Sequence, residues 1–338
     1  MGAAAAERAA VSARESGIGC FHGKSNRRSS VPERLPEQRS CIQREGLGRS
    51  GPLLAGWTLA RPSRTPAAKR TESGGSLDPF VRNGSIVRRI WADVDLVLLV
   101  FAGAAAEFAL NRAVDWLFAT GQLPRDALGR LVATAAFAQR IALGSRRQAE
   151  QAMAAIRSAH AAVERRRGDR IPAWAHRDVL YLLIDYSERA FRALHRPLTS
   201  AEQHELYGAF RSIGEELGIP ELPSGYDGWR ADRERHLARD LAASHYTMAL
   251  YAAYRRQLGP WRYTLLLQVQ GALVPAPVRV LLHLPRRPCL QFALALYPVL
   301  ASRSLRAAIQ RALIPPAHLD AVRSLDRVGS LGRAAPSP

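Results

Sequence analysis

From residue 81 onward the apolar residues recur every three or four positions, and no segment alternates convincingly with period two. That spacing puts the apolar side chains on one face of a helix, so the chain must pack helix against helix. Breakers punctuate the pattern: Gly121 with Pro124, Gly218 with Pro220, and Gly259 with Pro260. The spacing predicts helices over 93–119, 126–143, 146–167, 176–195, 200–217, 227–258, 260–273 and 288–312. Thr199-Ser-Ala-Glu202 has the form of a capping box, and Leu206, Phe210, Ile213 and Leu217 continue as an apolar stripe. The longest charge-free run near the start, Leu96–Ala106, is 11 residues. A membrane span needs roughly 18 or more, so the run reads as a buried core helix. The fold class is all-α, with one multi-helix domain over 84–328.

Residues 1–83 read differently. Through residue 80 they hold 13 Lys/Arg against 7 Asp/Glu in a matrix of Ser, Gly, Pro and Gln, without sustained periodicity. Such a stretch buries too little surface to offset chain entropy and is expected to be disordered, as is the tail 329–338. Met1–Ala10 lacks an apolar signal-peptide core, and a start of translation near Ile86 is preferred over a transit peptide. Composition excludes collagen and coiled coil. Three cysteines, Cys20, Cys41 and Cys289, form no C-x-x-C and exclude a disulfide framework. The net charge of +19 invites a nucleic-acid reading. Only Lys24 and Lys69 are lysines, however, and Ala is abundant, the signature of GC-rich codon bias. No docking motif accompanies the charge, so no specific nucleic-acid partner is expected.

The sequence lacks H-E-x-x-H, a paired E-x-x-H, a P-loop and G-x-S-x-G. Asp232, His236 and Asp240 share a helix face, but Arg233, Arg235 and Arg239 surround them, and a solvated salt-bridged face is the preferred reading. His160 is placed differently. Ala149, Met153, Ile156, His160 and Val163 form one stripe, with Arg157 and Glu164 turned away. A buried imidazole needs a partner, either a backbone carbonyl or a metal such as haem iron. On the preceding helix Arg130 and Thr134 share a face with Phe137 and Ile141. They suit a flat, anionic, apolar ligand, or else are a first-turn surface residue and helix filler.

The stretch Gly129–Val163, with its Arg130-x-x-x-Thr134, Gly144-Ser145 turn and His160, resembles the catalytic domain shared by MpaB-type oxygenases and rubber oxygenases (latex-clearing proteins). The flanking segments GAAAEFALNRAVDWLF, IPAWAHRDVLYLLIDYSERAF, GYDGWRADRERHL and RYTLLLQVQ extend the resemblance to about 84–326. It implies a helical domain holding one haem b, with His160 as proximal iron ligand and Arg130 and Thr134 beside the haem. It also implies an oxygenase acting with O2 on an apolar, isoprenoid-like substrate, with Thr134 and Arg130 as its catalytic candidates. Rubber oxygenases carry a lysine just before the threonine that caps the distal side. Here that position is Ala133, which speaks against rubber itself and for an open distal site. His176 and His195, the nearest alternatives, sit beside arginines and are expected at helix surfaces. The competing readings are a non-catalytic haem or lipid carrier and an Arg-rich scaffold for anionic membrane or nucleic acid. The expected location is cytoplasmic, with peripheral membrane contact through the C-terminal apolar stretch as the alternative to simple packing of Leu290–Leu300 on the core.

Overall fold

The computed structural model describes residues 78–118, 125–286 and 288–334, all within the unit Pro52–Pro338. The expected disorder of the N-terminal extension concerns residues that, through 77, lie outside the described ones. Among the described residues there are helices and no strand.

The chain opens with α1 (Ile86–Trp91) and α2 (Val94–Phe108), each started by a side-chain cap. The Ser85 hydroxyl accepts from the Arg88 N–H, and the Asp93 carboxylate from those of Asp95 and Leu96. A short α3 (Asp115–Phe118) follows, then α4 (Ala127–Leu143), α5 (Arg146–Arg167) and α6 (Ala173–Leu194). The order continues with α7 (Ser200–Glu216), α8 (Tyr226–Arg239), α9 (His245–Leu258), α10 (Pro260–Leu273) and α11 (Ala276–Leu281). The chain closes with α12 (Pro288–Leu300), α13 (Arg303–Leu313) and α14 (Pro316–Ala334). The capping box of Thr199 and Glu202 forms, and Leu206, Phe210 and Ile213 are buried, as their spacing requires.

Three expected long helices are broken. The run 93–119 stops at Phe108 because Asn111 turns the chain: its Oδ1 accepts from the Ala113 N–H while its Nδ2 donates to the Asp178 carboxylate. The run 227–258 splits into α8 and α9 because Asp240–Ala242 crosses the end of α2. Arg112 N–H donates to the Asp240 carbonyl at 3.0 Å, and Ala242 N–H to that of Leu110 at 2.7 Å. Ser244 and Thr247 then restart the helix with a capping box. At the chain's end, 288–312 divides at Ser302, and α14 carries the domain beyond 328. The N-terminal boundary also lies earlier than 84, since Val81 is buried in the core and Pro79 bridges to Ser145.

The core centres on α2 against α6. Gly103 lets the two axes approach: a Cβ there would overlap the Tyr186 ring, which is fully buried. Around this contact Leu96, Val100, Ile184 and Phe191 interlock with Ile90 and Trp91 of α1. No helix among the described residues is long and apolar enough to cross a membrane.

Candidate functional site

A tight turn makes α4 and α5 a hairpin. The Asp126 carboxylate caps the first turn of α4 through the Gly129 N–H at 2.9 Å. At the other end Gly144 closes on the Arg140 carbonyl, where any Cβ would collide. Ser145 and Gln148 form a capping box that starts α5. The two helices are in contact on either side of this turn. Arg130 and His160 lie nearly equally far from the turn, roughly 20 Å at the helical rise.

His160 is half-buried. Burial pushes its imidazole down to about 4, with the neighbouring His176 adding to the shift and Glu164 opposing it. The ring is neutral at physiological pH, with a nitrogen lone pair able to ligate a metal. The stripe on which it was expected is buried only through Ala149, Ala152 and Met153. Ile156, His160 and Val163 are half-buried. Arg157 does turn away, donating to the Glu216 carbonyl at 2.5 Å. Glu164 does not: it is half-buried near His160 and accepts the Ile171 N–H at 3.0 Å. The far end of α5 is tied down by Arg167, which pairs with Asp115 at 2.7 Å and lies over the Trp116 ring at 4.0 Å.

His176 corrects the expectation of a surface position. It comes from the first turn of α6, is half-buried, and its ring centroid stands 4.7 Å from that of His160. Sequence spacing misses it because nothing local shows that α6 begins against the outer half of α5. His195 does lie at a surface, as the exposed C-cap of α6.

On α4, Arg130 is half-buried, and burial lowers its guanidinium below the usual range against the opposing pull of Asp126. Thr134 is exposed, and its hydroxyl donates to the Arg130 carbonyl at 2.9 Å. Phe137 is half-buried and Ile141 buried, so the shared face turns from solvent at Thr134 to core at Ile141.

The face of Asp232, His236 and Asp240 is ion-paired, but the expectation that it is solvated fails. Arg233, His236 and Asp240 are buried. Arg233 makes a bidentate pair with Glu107 at 2.5 Å and reaches Asp185 at 3.1 Å and Asp178 at 3.5 Å. His236 Nδ1 lies 2.7 Å from the Asp240 carboxylate. The reason is tertiary: α2 and α6 present carboxylates to α8, which no spacing within α8 reveals. Only Arg235 and Arg239 keep their side chains in solvent.

Among the described residues, no three His, Cys, Asp or Glu side chains converge on a common metal position. A haem iron takes its equatorial nitrogens from the macrocycle and needs only an imidazole from the protein. The chemistry of the neutral, half-buried His160 and the partly desolvated Arg130 fits such a group, an imidazole for the iron and a guanidinium for a propionate.

The frame is an all-helical domain that carries Arg130 on its fourth helix and His160 on its fifth, and the comparison with known families gives its class as an oxygenase domain. Residues 88–325 match the family model described as ER-bound oxygenase mpaB/B'/Rubber oxygenase, catalytic domain, and the chain belongs to that family. No curated protein and no solved structure matches the chain.

Proposed function

We propose that the chain is a haem b-dependent oxygenase acting with O2 on an apolar, isoprenoid-like substrate, with His160 as the axial ligand. The observation that carries this reading is the neutral imidazole of His160, half-buried on α5 with the His176 ring 4.7 Å away. Bound haem would supply the oxygen chemistry; the protein supplies the rest. His160 offers an unprotonated nitrogen held by α5. Arg130 offers a partly desolvated cation suited to a propionate. Thr134 acts in this reading by turning its hydroxyl from the Arg130 carbonyl toward oxygen or an ordered water. Ala133, lacking any donor atom, leaves the distal side without a lysine cap. The half-buried apolar side chains of Leu131, Phe137 and Ile156 suit a greasy substrate and exclude water.

The test is absorption spectroscopy of the full chain supplied with haem, followed by oxygen consumption with a panel of polyprenyl compounds. A stoichiometric Soret band and oxygen uptake with at least one compound are expected. A colourless protein overturns the haem reading. A stoichiometric haem complex with no turnover overturns the catalytic part and leaves a carrier.

A further inference from the structure

Between Asp240 and Asp320 the sequence holds nine arginines and not one Asp or Glu. The same segment carries eight of the ten large apolar side chains that are exposed among the described residues. Two properties that sequence order need not join, unbalanced positive charge and exposed apolar surface, are joined here.

Six of the eight lie on three helices, α10, α12 and α13, that brace one another. α12 carries no charge along its whole length, and none of its residues is buried. Its inner side is pinned: Leu294 packs on the core, and the Tyr297 hydroxyl donates to Asp95 at 3.0 Å. Gln310 of α13 donates to the other oxygen of Asp95 at 2.7 Å, and Arg306 to the Pro298 carbonyl at 3.0 Å. Arg262 of α10 donates to the Ala312 carbonyl at 2.7 Å, which ties α10 to the end of α13. The outer side of α12 then presents Phe292, Leu296, Val299 and Leu300, with Val299 82% exposed, and Leu305 of α13 and Trp261 of α10 continue the apolar surface. Exposed Arg286 and Arg311 flank it, and the Arg262 guanidinium lies over the Trp261 ring at 4.6 Å.

This arrangement also reports on what covers the surface. A second copy would bring the same arginine-bearing face, in which the Asp95 carboxylate is turned inward against Tyr297, Gln310 and Arg306, and like charges would oppose the contact. The first 80 residues of the chain have a net charge of +6 and are no better matched. An anionic occupant is required. The apolar side chains stand outward from helix surfaces with arginines and a tryptophan at their edges, the distribution that places a helix flat at a lipid interface. We propose that the outer face of α12, with the adjoining turns of α13 and α10, docks the protein on membranes containing anionic lipid. Phe292, Leu296 and Val299 enter the headgroup boundary while Arg286 and Arg311 meet lipid phosphates. This surface is independent of the haem reading, since neither its residues nor its readout involve His160.

The experiment is cosedimentation of the full chain with vesicles of phosphatidylcholine alone and of phosphatidylcholine mixed with phosphatidylglycerol. The comparison variant is the double substitution Phe292→Ser, Val299→Ser, made at exposed positions so that the thermal unfolding midpoint is retained. The wild type is expected to bind only the anionic vesicles, and the double variant to bind them at least about tenfold more weakly. Because the arginines of the N-terminal extension are present in both proteins, the difference isolates the α12 face. Two results overturn the proposal on the lipid side: no capture by anionic vesicles, or equal capture of both proteins with complete release by salt. A wild-type dimer by light scattering that the double variant loses also overturns it, assigning the face to a second copy. Capture of an acidic protein but not of vesicles would assign it to a protein partner and overturn the lipid proposal equally.

Discussion

The rings of His160 and His176 face each other from α5 and α6, their centroids 4.7 Å apart and their planes tilted by 45°. Both imidazoles are lowered below the ordinary histidine range chiefly by burial, which favours the unprotonated ring that a ligand needs. The family resemblance assigns the ligand role to His160 alone. His160→Ala in the full chain supplied with haem is therefore expected to lose the Soret band. His176→Ala is expected to retain it with a shifted maximum, because it removes a neighbour of the ligand. Retention of haem by the first variant and loss by the second would move the ligand to His176.

Thr134 gives a separate handle on chemistry. Its side chain is exposed and its hydroxyl bonds only to a carbonyl of its own helix, so Thr134→Ala should change stability by no more than about 0.5 kcal/mol. A fall in oxygen consumption at unchanged haem content and melting temperature would then report a role in turnover. Unchanged turnover would remove Thr134 from the catalytic set.

Local rules made the helix class, the Thr199 capping box and the α4–α5 hairpin legible, because caps, stripes and short turns are written within a few residues. They also marked His160, whose place on a stripe is a property of one helix. They could not show His176 beside it, since that contact depends on how α6 enters. The crossing of Asp240–Ala242 over the end of α2 was hidden for the same reason: the pairing partners, Leu110 and Arg112, are remote in sequence. Glu107 and Arg233 are the plainest case. Arg233 reads as part of a solvated helix face until α2 and α8 bring it against Glu107 in the core.

That pair carries the third prediction. Arg233 and Glu107 are both essentially inaccessible to solvent, and Arg233 also serves Asp185 and Asp178. Arg233→Ala leaves several buried carboxylates without their cation. A loss of about 3–5 kcal/mol in unfolding free energy is expected from chemical denaturation. A loss below about 1 kcal/mol would show that the buried carboxylates find protons or other partners at little cost.

Gly103 and Tyr186 test the packing between α2 and α6. A Cβ at Gly103 would occupy the space of the Tyr186 ring, and that ring is held in place by its hydroxyl donating to Glu107 at 3.0 Å. Gly103→Ala should cost about 1–3 kcal/mol despite the better helix propensity of alanine. The double variant with Tyr186→Leu should recover part of that cost if the overlap is its origin. Independent, additive losses in the two variants would place the cost elsewhere.

Asp178 couples the ionic cluster to pH. Burial first, then the nearby Glu107 charge, raises its carboxyl to about 7, against the opposing pull of Arg233 and the hydrogen bond from Asn111. The native state therefore keeps a proton between about 4 and about 7 that the unfolded chain releases near the ordinary aspartate value. This group's contribution to stability is full below that range and declines as pH rises through it, with a slope of at most about 1.4 kcal/mol per pH unit. Asp178→Asn mimics the protonated form and removes the decline. Urea unfolding of both proteins at several pH values should show the variant gaining stability relative to wild type from about pH 4 to about pH 7, then holding a constant difference. A difference that stays flat across the window, or that runs in the opposite sense, would mean that Asp178 is ionised in the folded protein and paired with Arg233 throughout.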